Sequence, residues 1–171
     1  MLSRLPPATR YLLIANIVCS VIVMLVPSLF GIFGLWPWLP GEPWASQVFM
    51  PWQPITHAFV HADPVHLMLN MLGLVMFGAV LESEWGTRRF LVFYGVCVLG
   101  AALCQFALAT WMAYAQGRIA YAVGASGGIY GLLGVHFIAA FQVLIYVGAV
   151  MVFMVYVIML LEVREATGAK Y

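Results

Sequence analysis

The most informative stretch of this sequence is residues 124–131, which read Gly-Ala-Ser-Gly-Gly-Ile-Tyr-Gly and open a long apolar run. Within this stretch, Ser126 has a polar side chain, although the apolar residues around it predict a position inside the membrane. Glycine on both sides, at Gly124 and Gly127, lets another backbone or an extended substrate approach the serine closely. A helix that begins near Ser126 would also direct free N–H groups and a partial positive charge at the same place. The stretch is therefore a candidate site for a nucleophile and an oxyanion.

The same glycines also support a purely structural interpretation. Gly124 and Gly128, and likewise Gly127 and Gly131, are small residues spaced four apart, a pattern that lets membrane helices pack closely. Short glycine motifs often match by chance, so taken alone the stretch favours helix packing over chemistry.

The composition of the 171 residues is that of an integral membrane protein, since 65% are hydrophobic and 8% are charged. Soluble domains carry about a quarter charged residues. Apolar runs long enough to cross the hydrocarbon core as helices recur along the chain, and no long alternating pattern indicates a barrel. A net charge of +1 without a basic cluster gives no reason to expect nucleic acid as a partner, so the lipid bilayer is the expected environment.

These patterns predict an all-α, polytopic membrane protein with one domain over residues 1–171 and five transmembrane helices. Helix 2 has the clearest start, since Asp63 is a good N-cap and Pro64 suits the first helical position. The last apolar run is too long for one span, so a tight turn is expected near Gln142. Tryptophans and prolines over residues 35–54 predict an interfacial loop. The helices are expected at about residues 11–33, 64–81, 90–113, 126–141 and 144–161.

Basic residues are distributed unevenly about these helices. More of them lie on the side of the N-terminus than on the other side, and the long tryptophan-rich loop has none. The positive-inside rule therefore predicts a cytoplasmic N-terminus. The two groups are Arg4, Arg10, Arg88 and Arg89 on one side, and Arg118, Arg164 and Lys170 on the other.

A second polar group precedes and enters helix 2: His57, His61, His66 and Asn70. Such side chains are costly in hydrocarbon and usually face the protein interior or water. His66 and Asn70 are spaced i, i+4 and share a helix face, so they either donate hydrogen bonds to one site or join neighbouring helices. His57 and His61 lie in the interfacial segment, where we expect them to hold the loop by hydrogen bonds.

A zinc site formed by these three histidines is disfavoured. Their spacing crosses from loop to helix, and no cysteine or well-placed carboxylate completes a ligand set. We therefore expect no metal and no cofactor.

Taken together, the motifs resemble the rhomboid family of intramembrane serine proteases, over about residues 11–141. The joint pattern is much more specific than any part of it, and it favours chemistry over packing at Ser126. The matching residues are Gly124-Ala125-Ser126-Gly127 with Tyr130, the spaced group His57, His61, His66 and Asn70, and Glu82 with Gly86 after helix 2.

The resemblance implies a role for each matching residue. Ser126 would be the nucleophile, and His66, Asn70 and backbone N–H groups around the serine would form the oxyanion hole. Tyr130 would pack beside the catalytic base, and Glu82 would belong to a loop network at the cytoplasmic end of helix 2. The substrates would be transmembrane segments of other membrane proteins.

The sequence departs from the family pattern in two places. Gln53 follows Trp52 where many members have Trp-Arg, which puts the loop's usual arginine contacts in doubt. The family's base histidine lies on a sixth helix, in an Ala-His-x-x-Gly context, and the chain ends at Tyr171 without that motif. His136 does not replace this histidine. It lies ten residues after Ser126 on the same predicted helix, and a rise of about 15 Å puts it out of hydrogen-bond reach of the serine.

We therefore expect a C-terminally truncated copy of a six-span protease that is nearly inactive as it stands, since a serine needs a base within hydrogen-bond reach. The alternative is a pseudoprotease that binds membrane helices without cutting them. A channel or transporter is disfavoured, because the polar residues cluster at one depth on two helices. The pattern leaves the oligomeric state open.

Overall fold

The structure is a computed structural model that describes residues 5–40 and 49–168, with side chains as far as Met159. All regular elements in this part of the chain are helices, as the composition predicts. The described residues form two compact units, one up to Leu133 and one from Gly134 onward. Residues 41–48 of the expected interfacial loop lie outside the described part, as do Arg4 and Lys170.

The first span is shorter than the expected helix over 11–33. Helix α1 covers Pro7–Leu25, and a separate short helix α2 covers Ser28–Phe33. The break coincides with Pro27, whose ring and missing N–H are incompatible with a continuous helix. The helix also begins earlier than expected, with a proline at its first position.

A short helix begins at the end of the interfacial loop. Helix α3 covers Gln53–Thr56, and a 3₁₀ turn follows at His57–Phe59. Residues 35–40, before the undescribed part of the loop, form no helix. Trp38 and Trp52 are both about half exposed, as expected for side chains at a membrane interface.

The second span starts where the sequence predicts and ends later. Helix α4, Pro64–Gly73, continues through a π-helical turn, Leu74–Gly78, into helix α5, Ala79–Trp85. Asp63 caps it, since its carboxylate accepts a hydrogen bond of 2.8 Å from the His66 N–H.

The third span, helix α6, covers Thr87–Gln116 and is longer at both ends than the expected 90–113. Gly86 separates it from α5 and Gly117 ends it, and both glycines have positive φ. The two spans α4–α5 and α6 are therefore joined by a single residue, which forces α6 to turn back immediately.

The prediction of a tight turn near Gln142 is wrong. Helix α7 covers Ser126–Ile145, a π-helical turn follows at Tyr146–Val150, and helix α8 covers Met151–Gly168. The described residues contain four helices long and apolar enough to cross a membrane, and the last runs from Ser126 to Met159. Glutamine is a good helix former, and the sequence near it has no proline, so the local chain has no reason to break there.

Buried Glu82 fastens α1 to the other helices. Its Oε1 accepts hydrogen bonds of 2.8 Å from the Ala8 N–H and the Thr87 hydroxyl, and its Oε2 accepts from the Thr9 N–H at 2.7 Å and the Thr9 hydroxyl at 2.8 Å. The two N–H groups belong to the first turn of α1, where helix donors have no partner within their own helix. A carboxylate on α5 thus caps α1, because Pro6 before it offers no side-chain cap.

The glycines of α7 pack against α6. A Cβ atom at Gly128 would overlap the ring of Tyr94, and one at Gly131 would overlap Cys97. The packing interpretation of this stretch is therefore realised, and it coexists with the candidate site at its N-terminal end.

This seam leads to a first prediction. Gly128→Ala should lower stability, because overpacking a close helix contact costs about 1–3 kcal/mol. Gly100→Ala is the matched control, since Gly100 lies inside α6 with open space around it; it should be neutral or slightly stabilising through helix propensity. Thermal unfolding of both variants in detergent micelles measures the difference. Equal midpoints would show that the seam does not constrain the structure.

Candidate active site

Ser126 is the first residue of α7, and the backbone before it is held from two sides. Gly124 has φ +107°, a conformation that glycine adopts readily, and its N–H donates a hydrogen bond of 2.8 Å to the His57 carbonyl. Two residues earlier, Ala122 exchanges backbone hydrogen bonds of 2.9 and 3.0 Å with Leu35 of the loop. The entry to the serine helix is therefore attached both to the interfacial loop and to the 3₁₀ turn.

His66 and Asn70 both lie against this turn. A Cβ atom at Gly124 would come within 2.8 Å of His66 Nε2 and 3.2 Å of Asn70 Nδ2, so no larger residue fits there. Farther along, a Cβ atom at Gly73 would come within 2.9 Å of the Ile129 side chain, which places α4 beside α7. The i, i+4 pair of the sequence thus meets the backbone two residues before Ser126.

Asn70 is the least satisfied polar group in this arrangement. Its side chain is 7% exposed, and its Nδ2 has no hydrogen-bond partner among the described residues. An unpaired buried donor costs about 1–3 kcal/mol, so such groups in a folded protein call for an explanation. An amide donor aimed at the turn before Ser126 is available to an oxygen atom of a ligand.

His61 connects the turn to helix α1. The Ala125 N–H donates to His61 Nε2 at 3.4 Å, so His61 Nδ1 carries the ring proton and donates to Ser20 Oγ at 2.8 Å. Ser20 in turn donates to the Phe59 carbonyl at 3.2 Å. Burial, with a further contribution from His66, lowers the pKa of His61 to about 4, so the ring is neutral at pH 7. Both ring nitrogens are occupied by hydrogen bonds, so His61 has none left for a metal.

His57 occupies the opposite side of the turn. It is 5% exposed, and its Nδ1 donates a hydrogen bond of 3.0 Å to the Gln53 carbonyl. Burial lowers its pKa below the usual value despite hydrogen bonds to backbone carbonyl groups. The His57 ring is therefore bonded to the end of the interfacial loop, whereas the His61 ring is bonded to α1 and to the turn before Ser126.

A cavity of about 210 Å³ lies beside Ser126. Water occupies about 30 Å³ per molecule in the liquid, so the cavity has room for several. Polar side chains contribute to its wall, and Tyr130 is one of the lining residues. The polar lining residues are His57, Gln105, Ser126 and Tyr130.

Gln53 fastens the interfacial loop in place of the family's arginine. Its side chain is fully buried, its Nε2 donates to the Gly31 and Ile32 carbonyls at 3.5 and 3.4 Å, and its Oε1 accepts from the Trp36 N–H at 3.3 Å. An arginine has no acceptor, so it would not make the last of these contacts. The side-chain amide of Gln53 thus makes the hydrogen bonds that hold the loop at this position.

Sequence reasoning did not single out Ser20 or Gln105. Gln105 was detectable, because it is a polar side chain inside the otherwise apolar third span. Ser20 carried no comparable signal, since a serine within a membrane helix bonds to its own backbone as readily as to a partner.

The fold and the site together define a class: a helical integral membrane protein in which His57, His61, His66 and Asn70 contact the glycine turn that leads into Ser126. The rhomboid domain model matches residues 48–168. The chain belongs to the rhomboid family.

Several characterised relatives share part of the sequence. The chain is 31% identical to rhomboid-like protease 3 of Toxoplasma gondii over 90 residues, which are 53% of this chain and 31% of the relative. It is 36% identical to RHOMBOID-like protein 5 of Arabidopsis thaliana over 83 residues, 48% of this chain and 25% of the relative. It is 29% identical to rhomboid protease GlpG of Haemophilus influenzae over 87 residues, 51% of this chain and 41% of the relative. Each match thus spans less than half of the relative's own length.

The burial of His61 predicts a pH dependence of stability. Its pKa is about 4 in the fold and 6.5 in the unfolded chain, so the unfolded state binds more protons between these values. The free energy of unfolding should therefore fall as the pH drops from about 6.5 to about 4. His61→Gln should reduce this fall without abolishing it, because His57 titrates in the same direction.

Unfolding in micelles between pH 4 and pH 8 measures this effect. The same pH profile in the wild type and the His61→Gln variant would show that His61 is not the buried neutral group described above.

Alanine substitutions at Asn70 and at Leu74, in the same span, should reduce stability by different amounts. Leu74→Ala should cost about 2–5 kcal/mol, because the leucine is fully buried and leaves a cavity. Asn70→Ala should cost much less, since its amide donor has no partner to lose. Steric trapping or chemical unfolding ranks the two. A larger loss for Asn70→Ala would identify Asn70 as a structural residue joining helices.

Proposed function

We propose that this protein acts through Ser126 as an intramembrane serine endopeptidase that cleaves transmembrane segments of other membrane proteins. The observation that carries the proposal is the contact of His66 and Asn70 with the Gly124 turn, next to a serine that opens a cavity. Membership of the rhomboid family supports the same chemistry.

In this proposal Ser126 Oγ attacks the peptide carbonyl of the substrate and the carbonyl oxygen becomes an oxyanion. The Asn70 amide, the His66 ring and backbone N–H groups at the start of α7 stabilise that charge. The Ala125 N–H is already bonded to His61, so His61 acts by holding the turn in place. Water in the cavity then hydrolyses the acyl-enzyme, and no metal or cofactor takes part.

The serine proton has to pass to a general base. Ser126 Oγ has no hydrogen-bond partner among the described residues, so no described histidine is bonded to it in this structure. In the proposal the base is the histidine of an Ala-His-x-x-Gly helix, as in the family pattern. Two in-chain alternatives remain to be tested, His66 at the turn and His57 in the cavity wall.

The same observation favours a second candidate function. A serine without a paired base suits a pseudoprotease that binds membrane helices and does not cut them. In both cases the partners are transmembrane segments. Under either proposal we also propose a cytoplasmic N-terminus, which the arginine distribution supports through the positive-inside rule.

The test compares the 171-residue chain with a chain extended by an Ala-His-x-x-Gly helix from a relative, on one transmembrane reporter and with a fluorophosphonate probe. The extended chain should cleave about 10²–10⁴-fold faster, which is the usual contribution of a general base. Ser126→Ala should abolish cleavage, and Asn70→Ala should lower it about 10²-fold, as for other oxyanion donors.

Each other outcome identifies a different mechanism. Ser126-dependent cleavage by the 171-residue chain that is lost in His66→Ala or His57→Ala would assign the base within the chain. A folded extended chain that remains inactive would favour the pseudoprotease.

A further inference from the structure

An open groove lies at the corner where α5 turns into α6, far along the chain from the serine site. The last residue of α5, Trp85, reaches over the first turns of α6, and its ring meets Phe93 edge to face with 5.3 Å between centroids. The groove has a volume of about 600 Å³. It is lined by Trp85, Arg88, Arg89, Val92, Phe93 and Val96.

The charged end of the groove has no counter-ion in the described part of the protein. Arg88 and Arg89 are both exposed, and neither forms an ion pair with a described residue. The buried carboxylate of the described residues, Glu82, is engaged with the first turn of α1 and with Thr87. Two guanidinium groups are therefore free to bind an anion.

The rest of the groove is apolar and follows directly from the charged end. Arg88 and Val92, and likewise Arg89 and Phe93, are spaced i, i+4 and share one face of α6. Val92 and Val96 are 62% and 63% exposed. From the arginines to Val96 the helix rises about 11 Å. The groove therefore has a charged end, followed by an apolar surface of about that length.

We propose that this groove binds one anionic phospholipid, with its phosphate between Arg88 and Arg89 and an acyl chain along Val92, Phe93 and Val96. Arginine pairs geometrically with phosphate oxygens, and basic pockets beside membrane helices bind anionic headgroups. Trp85 lines the same groove, and tryptophan is enriched where headgroups meet the hydrocarbon of a membrane. A free phosphate would leave the apolar surface empty, so the lipid is the ligand that matches both ends.

The proposal does not depend on the protease activity. It is tested on the full chain in detergent micelles by native mass spectrometry, with dioleoyl phosphatidylglycerol and dioleoyl phosphatidylcholine as probes. One phosphatidylglycerol molecule should bind more tightly than phosphatidylcholine. Arg88→Gln and Arg89→Gln should each weaken phosphatidylglycerol about fivefold, and the double variant about 25-fold, as expected for one basic residue each at a membrane surface.

Arg118→Gln is the matched control, since Arg118 is an exposed arginine just beyond the other end of α6. It should leave phosphatidylglycerol binding unchanged, and all four variants should bind phosphatidylcholine like the wild type. Millimolar inorganic phosphate should not displace the lipid.

Three results would overturn the proposal. The first is equal affinity for the two lipids. The second is a loss in Arg118→Gln as large as in the groove variants, which would show a diffuse effect of net charge. The third is displacement by inorganic phosphate, which would show that the groove holds an anion without the acyl chain.

Discussion

Gly124 holds the backbone at φ +107° while His66 and Asn70 lie so close that no side chain fits at this position. Its N–H is fixed by the His57 carbonyl, so one residue brings together the 3₁₀ turn, helix α4 and the start of α7. Ser126 follows two residues later, and its position depends on this turn. A glycine is required here for two separate physical reasons, backbone conformation and close approach.

Helix α1 has no catalytic residue in the proposed mechanism, yet two buried polar contacts define where it lies. Thr9 near its start binds the Glu82 carboxylate, and Ser20 near its end binds the His61 ring. Within a bilayer the hydrophobic effect does not drive helices together, so packing and polar contacts of this kind decide their arrangement. Through His61, the second contact extends to the Ala125 N–H beside the serine.

The sequence by itself determined the features that depend on local chemistry. Composition and the length of the apolar runs are sufficient for a helical membrane protein. Asp63 with Pro64 marks the start of α4 because capping involves only the first turn of a helix. The i, i+4 spacing of His66 and Asn70 put both on one face, and the structure shows that this face meets the Gly124 turn. The family pattern around Ser126 came from the same local spacing.

Only the tertiary structure decided the features that depend on partners distant in the chain. The capping of α1 depends on Glu82, which lies 74 and 73 residues from the Ala8 and Thr9 N–H groups that it accepts from. The contacts of Gln53 are explained only by the carbonyl and N–H groups that the fold brings around it. The tautomer of His61 is set by the Ala125 N–H, 64 residues away. A buried polar group is stable only with its hydrogen bonds made, and the sequence does not show which distant atoms will be brought within reach to make them.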